Sequence, residues 1–303
     1  WGDWLNFNEQ TLVEFIDAVY FAKDARLMAE MAAAIGKSDE AAGYRSLRDG
    51  VVARWRADWL NADGTLKAAT QTAHVLALEN SLVPDELITP TTARLVARIT
   101  ANGGRMATGF LGTKPLLPVL SAHGHHDLAV KMFQSRQFPS WGYEVENGAT
   151  SIWERWDSYT KEDGFGRHNA AMNSFSHYAF GAVCEWMFHD LAGLGQAGAG
   201  MQRLVIRPQP PAVGSNLERA PISWVRTTHD SAYGRIAVAW KRTDGVISLD
   251  LTVPPNCTAA VQVPTRDGAS IRLDGQAPTA TTPRDGTALT IGSGTWAVTA
   301  VAP

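Results

Sequence analysis

Cysteine is scarce in this 303-residue chain: only Cys184 and Cys257 occur. They fall in segments read below as different domains, so no structural disulfide is expected and the redox compartment is left open. An excess of one charge is missing as well. The 27 basic and 30 acidic residues give a net charge of −3, and no basic stripe stands out, which argues against nucleic acid and anionic membrane as partners. No run approaches the roughly 18–20 apolar residues that a membrane helix needs. A glycine-rich phosphate loop and a nucleophile elbow are both absent, since Gly103-Gly104 has the wrong surroundings for either. No cofactor is therefore expected. The chain opens at Trp1 rather than Met. It is expected to be preceded by sequence removed from it, so its start carries no localisation signal to read.

Apolar residues make up 45% of the chain, enough for one large core or two domains. Residues 1 to about 195 carry helical periodicity. Glu9–Ile35 places Leu12, Phe15, Ile16, Val19, Leu27, Met28 and Met31 at spacings of three and four, and Gly36 suits the helix end. Ser38 is expected to cap the next helix, which runs through Tyr44, Leu47, Val51 and Trp55. Further helices are expected over Thr70–Leu82, from Pro84-Asp85 to Gly103-Gly104, over 110–123 and 126–137, and over Ser174–Leu191. Pro84 suits a first helical turn and Asp85 its dipole. These helices are apolar on more than one face, which suits paired helices packed inward and outward, as in an α/α barrel.

Gly193–Gly200 reads as a linker, and the texture then changes. Short β-rich runs follow at Leu204–Ile206, Ser223–Thr228, Gly234–Lys241, Val246–Val253, Ala259–Val263 and Trp296–Val301, with period two at Ile236, Val238, Trp240 and at Ile247, Leu249, Leu251, Val253. Asp244-Gly245, Asp267-Gly268 and Asp274-Gly275 supply turn signals between them. The expected organisation is a helical region, 1–195, followed by an antiparallel β-sandwich, 201–303.

The chemistry concentrates in Phe138–Phe165, which holds seven aromatics and several carboxylates and shows no helical period. Flat rings for apolar C–H faces and carboxylates for hydroxyls together make a sugar site. The structural alternative is an inter-helix loop packed by tryptophan, with Glu154 paired to a residue such as Arg155. Glu154 stands between Trp153 and Trp156, where lost hydration is expected to raise its pKa toward that of a general base. His177 is expected at the start of the last helix. Asp3 and Trp4 precede the first helix, as a helix-start pair or a sugar platform. His123, His125, His126 and Asp127 form the other conspicuous cluster. Gly124 interrupts the helix and the i, i+4 spacing of ligands is absent, so no metal is expected there.

The segments Trp1-Gly-Asp-Trp-Leu5, Thr108-Gly-Phe-Leu-Gly-Thr113, Pro139-Ser-Trp-Gly-Tyr143, Gly148-Ala-Thr-Ser-Ile-Trp-Glu-Arg-Trp-Asp157 and Asn173-Ser-Phe-Ser-His-Tyr-Ala-Phe-Gly181 resemble, in order and spacing, the bacterial α-L-rhamnosidases of glycoside hydrolase family 78. Val253-Pro-Pro-Asn-Cys-Thr-Ala259 resembles the family's C-terminal β-domain. The resemblance implies the later part of an (α/α)6 barrel, with about seven of its roughly twelve helices present, followed by that domain. It implies inverting hydrolysis of terminal α-L-rhamnose, with Glu154 as general base, His177 contacting the sugar and Trp4 lining its site. Asp3, Trp141 and Trp156 are implied more weakly as substrate contacts. One segment departs from the family pattern. The family's general acid lies in an Asp-Glu-Arg-x-Gly-Trp-x-Gly-Asp segment upstream of Gly-Asp-Trp-Leu, and these 303 residues do not contain it. An upstream fragment of the same protein is the implied partner, with a rhamnose-containing glycoside as substrate. A non-catalytic carbohydrate-binding piece, or an α/α-barrel enzyme for a uronic acid or fucoside, are the competing readings. If the acid lies within the chain, Asp3 and Glu144 are the first residues to test.

Overall fold

The computed structural model describes residues 1–166, 172–214, 221–265, 271–276, 284–285 and 288–302. The chain divides into two compact units, Trp1–Val183 and Cys184–Pro303.

The first unit is helical: α1 Val13–Ala34, α2 Ser38–Trp59, α3 Gln71–Glu79, α4 Asp85–Ala101, α5 Phe110–Ala122, α6 His126–Gln134 and α7 Trp141–Glu146. Helices α1 and α2 form a hairpin. Its core is Phe15, edge-on to Trp55 and Trp59 with ring centroids 5.4 Å away in each case. The hairpin turns at Gly36, whose φ of +78° only glycine adopts without strain. Helix α1 starts later than its apolar spacing suggests because Glu9 is engaged elsewhere. The Glu9 carboxylate accepts from the Gln71 amide at the start of α3 and from Arg98 on α4, both at 2.7 Å. Ser38 is the first helical residue and not the cap. That place falls to Lys37, which makes no side-chain capping bond. Pro84 is likewise the cap of α4, with Asp85 opening the helix. Thr70 does cap α3, accepting from the Ala73 amide at 3.0 Å.

Two expectations of local structure are corrected here. Phe138–Phe165 is not wholly loop, because Ser140 caps the short helix α7 by accepting from the Tyr143 amide. The last helix does not begin at Ser174. Residues 174–177 are hydrogen-bonded through their main chain to residues 152–154, and helix follows only in an irregular run, 3₁₀ at Phe180–Ala182, α8 at Val183–Trp186 and π at Met187–Leu191.

Among the described residues the second unit carries two five-stranded sheets. Its strands are β1 Leu194–Gln196, β2 Arg203–Ile206, β3 Trp224–Ser231, β4 Gly234–Thr243, β5 Val246–Val253, β6 Thr258–Gln262, β7 Arg272–Leu273, β8 Arg284–Asp285, β9 Ala288–Ile291 and β10 Gly294–Val301. One sheet runs β1-β2-β6-β9-β8 and the other β3-β4-β5-β10-β7. Pairing is antiparallel except between β2 and β6, which run parallel. Ile236, Val238 and Trp240 on β4 and Ile247, Leu249, Leu251 and Val253 on β5 are all buried, the period-two signature of a half-buried sheet. Asp244-Gly245 and Asp274-Gly275 are two-residue turns with positive φ at both positions. Asp267-Gly268 lies outside the described residues.

Gly193–Gly200 is not a plain linker. Leu194, Gly195 and Gln196 pair with Ile206, Val205 and Leu204. Trp240 Nε1 donates to the Leu191 carbonyl at 2.9 Å. Residues from Cys184 onward belong to the second compact unit. Cys184 and Cys257 consequently share that unit, where both are free thiols, the first exposed and the second buried.

Candidate active site

The N-terminal loop and the start of α5 are fitted to each other through Asp3. Its carboxylate accepts from Thr72 Oγ1 at 2.5 Å and from the amides of Gly109, Leu111 and Gly112 at 2.7, 2.8 and 3.1 Å. Three donors that a helix start leaves unsatisfied are thereby answered by one remote acid, in the favourable field of the helix N-terminus. Burial lifts the Asp3 carboxyl above its ordinary pKa, and the Thr72 hydroxyl and the three amides draw it back. Glycine is required at both ends of this contact. A Cβ on Gly109 would lie 2.2 Å from the Trp4 carbonyl oxygen, and one on Gly112 would lie 2.4 Å from Thr72 Oγ1. The spacing of Thr108-Gly-Phe-Leu-Gly-Thr113 follows from this close approach. With its carboxylate so engaged, Asp3 holds the loop in place and offers no free oxygen for a sugar hydroxyl.

Trp4 is held by the same contact. Its carbonyl accepts from the Phe110 amide at 2.9 Å, while its half-buried indole meets the exposed Trp1 ring edge-on at 5.1 Å. Phe110 then reaches the other candidate residues. Its ring lies 5.0 Å from the His177 imidazole, tilted by 31°, and edge-on to Phe180 at 5.2 Å. His177 is sandwiched, with Tyr178 stacked at 5.3 Å on it. Its Nδ1 accepts from the Ala179 amide at 3.3 Å, so in the neutral ring the proton resides on Nε2, which can donate outward.

Glu154 and His177 are brought together by main-chain pairing. The Glu154 amide donates to the Ser174 carbonyl at 2.9 Å and the His177 amide to the Ile152 carbonyl at 2.8 Å. The Ser174 amide in turn donates to Glu154 Oε2 at 2.7 Å. Glu154 is 8% exposed. Its Oε1 makes no hydrogen bond among the described residues, which leaves one carboxylate oxygen available. The structural alternative for this residue is not realised: Arg155 pairs with Asp157 at 3.1 Å.

Trp141 and Trp156 pack against each other. Both are buried, 5.5 Å apart and edge-on, and each indole N–H is consumed. Trp141 Nε1 donates to the Phe180 carbonyl and Trp156 Nε1 to the Thr108 carbonyl, at 3.0 and 3.1 Å. Trp156 also stacks on Phe180 at 4.0 Å. With Phe110 and Phe180 they form one packed aromatic cluster. Trp153, Phe165 and Phe175 pack edge-on against one another and, with Gly148–Ser151, line a shallow groove of about 280 Å³. Sequence reasoning assigned no role to Phe110 or Ser174, although both lie inside the quoted motifs. Among the described residues no group of three His, Cys, Asp or Glu side chains is arranged to hold a metal.

The carboxyl most strongly perturbed by burial is Glu144. Enclosure pushes it up to about 8, and the Trp153 amide pulls back only weakly. The folded protein therefore keeps this proton while the unfolded chain releases it above its ordinary value of 4.5. Stability from Glu144 is fully present below that value and is lost as pH rises through the folded value, at about 1.4 kcal/mol per pH unit in between. Glu144→Gln cannot ionise. Urea unfolding of the complete protein at pH 5, 6 and 7 is expected to show the variant gaining on wild type by that slope. Parallel curves would mean that the carboxyl is hydrated.

A family model described as the bacterial alpha-L-rhamnosidase 6 hairpin glycosidase domain matches residues 1–191, and one for the bacterial alpha-L-rhamnosidase C-terminal domain matches 193–277. An alpha-L-rhamnosidase of Streptomyces avermitilis is 42% identical over 264 residues, 87% of this chain and 24% of its own length. An alpha-L-rhamnosidase of Formosa agariphila is 34% identical over 284 residues, 91% of this chain and 30% of its own. The crystal structure of Streptomyces avermitilis alpha-L-rhamnosidase complexed with L-rhamnose superimposes with a TM-score of 0.89 at 38% identity, covering 98% of this chain and 28% of that one. The chain thus spans 24–30% of the length of these relatives, and over that span, in both its helical and its β regions, it belongs to the bacterial α-L-rhamnosidase family.

Proposed function

We propose that the chain is the C-terminal portion of an inverting α-L-rhamnosidase, in which residues up to about 195 complete an (α/α)6 barrel and 201–303 form the β-domain. The observation that carries this reading is the Glu154 carboxylate, buried, fixed through Oε2 by the Ser174 amide and open at Oε1, on a segment paired through its main chain with that of His177, whose imidazole packs against Phe110. Glu154 Oε1 takes the proton of the attacking water. A glutamate in upstream sequence protonates the leaving oxygen. Inversion places the two carboxyls roughly 6.5–9.5 Å apart on opposite sides of the scissile bond, with the water between one of them and the anomeric carbon. His177 Nε2 donates to a rhamnose hydroxyl, and the Trp4 indole lines the sugar. Asp3 sets the position of Trp4, and Trp141 and Trp156 belong to the aromatic cluster with Phe110. Acid–base work by two carboxyls needs no metal.

The test is hydrolysis of aryl α-L-rhamnosides by the complete protein, with NMR of the first-formed sugar. β-L-rhamnose is the expected initial anomer, and retention would remove the inverting reading. A panel including uronides and fucosides decides the sugar. In the same assay, His177→Ala is expected to raise KM by about three- to tenfold, the worth of one hydrogen bond, and to lower kcat less. A collapse of kcat at constant KM would give His177 a chemical role.

A further inference from the structure

Glu144 lies on α7, behind the segment that carries Glu154, and is 2% exposed. It grips that segment at two points. Its main-chain carbonyl accepts from the Ala149 amide at 3.0 Å, and its Oε2 accepts from the Trp153 amide at 3.4 Å. Its Oε1 is buried without a hydrogen-bond partner among the described residues. For stability alone an apolar side chain of equal volume would serve better there, since it avoids desolvating a carboxyl. The peptide that Glu144 holds is the one immediately before the Glu154 peptide, and Glu154 is anchored on its other side by Ser174 through both main chain and side chain. The Trp153 ring between them is wedged by Phe165 and Phe175. The segment therefore has an anchor on each flank, and the Glu154 carboxylate projects from between them.

We propose that Glu144 is a positioning residue for Glu154, fixing the 152–154 segment through the Trp153 amide and so setting the aim of the base carboxylate. It acts through the peptide and touches no substrate. The proposal rests on the hydrolytic reading given above and names a determinant of that reaction outside the sugar contacts.

The experiment uses the complete protein and an aryl rhamnoside with a good leaving group. Glu144→Met keeps the volume and removes the acceptor, while Glu144→Gln keeps a neutral acceptor oxygen. Misplacing a catalytic group by up to 1 Å costs about tenfold to a hundredfold in rate, and that loss of kcat is expected for E144M. KM should stay within about twofold, because the sugar contacts are untouched. E144Q is expected to recover most of kcat. Placed in an E154Q background, E144M should lower kcat no further, since no base is left to aim. An equal loss from E144M in both backgrounds, or no loss in either, overturns the proposal. Should E144M fail to fold, Glu144→Asp replaces it. That variant stays acidic but falls one methylene short of the Trp153 amide, so it is expected to lose kcat in the same way, and wild-type kcat in it overturns the proposal. Wild-type protein without turnover on any rhamnoside overturns the hydrolytic reading and this proposal together, and is distinguished by occurring before any substitution is made.

Discussion

Glu154→Gln in the complete protein is expected to lower kcat for rhamnosides by about 10²- to 10⁴-fold, the usual worth of a positioned general base, while KM stays within a few-fold. The geometry makes this substitution informative. Glu154 Oε2 accepts the Ser174 amide at 2.7 Å, and of the two ends of a glutamine amide only the oxygen can do the same. The amide is therefore oriented with its carbonyl toward Ser174 and its NH₂ where Oε1 stood. The side chain keeps its volume, its anchor and its polarity. What it loses is the ability to accept a proton from water at that position, because an amide nitrogen only donates. A rate loss without an affinity loss isolates the proton transfer from the packing of Trp153 and Trp156. Near-normal kcat in the glutamine variant would remove Glu154 as base.

How much of this was legible beforehand depends on the range of the interactions concerned. The period-two runs at Ile236–Trp240 and Ile247–Val253 announce β4 and β5 because the buried face is written in each strand's own residues. The same holds for the α1–α2 hairpin with its turn at Gly36. Helix α7 was not legible. Six residues make less than two turns, too few for a period, and the helix exists because Ser140 caps it and Trp141 is drawn into the core. Strand β1 was hidden for a related reason. Gly195 pairs because Val205 is opposite it, and nothing in a Gly/Ala stretch signals a partner ten residues on.

The site shows the same division. Glu154, His177 and Trp4 stand out through the motifs around them. The pairing of 152–154 with 174–177 takes residues out of the expected last helix, and it depends on two segments some 20 residues apart finding each other. Burial also acted on an unexpected carboxyl. Enclosure pushes Glu144, to which sequence reasoning gave only the place of a fallback acid, up to about 8. Sequence neighbours of a residue in a loop are not its spatial enclosure, and desolvation follows the enclosure.

Residues 1–303 expressed alone are expected to release no measurable product from a chromogenic rhamnoside and to associate. The chemical argument is that the family's acid segment lies outside these residues. Losing a general acid costs about 10²- to 10⁴-fold by itself, and a pocket missing part of its wall loses substrate positioning too. The physical argument comes from the first helix. Phe21, Leu27, Met28 and Met31 along α1, Ile35 just past its end, and Leu47 on α2 are all exposed, Ile35 at 71%. Long apolar side chains grouped on one hairpin are the expected contact for the helices that precede it in a barrel. Covering roughly 300 Å² of such surface at about 25 cal/mol per Å² is worth about 7 kcal/mol, comparable with the about 5–15 kcal/mol that separates a folded domain from its unfolded chain. A second copy can cover that surface when the upstream helices do not. Size-exclusion chromatography with light scattering, run beside the activity assay, reads both outcomes. Supplying the upstream residues as a separate chain is expected to restore turnover and reduce association. A stable monomer with the turnover of the complete protein would sink both arguments and place the acid within this chain. Asp3 has its carboxylate committed to four donors, so Glu144, which retains its proton at neutral pH, would then be the first carboxyl to substitute.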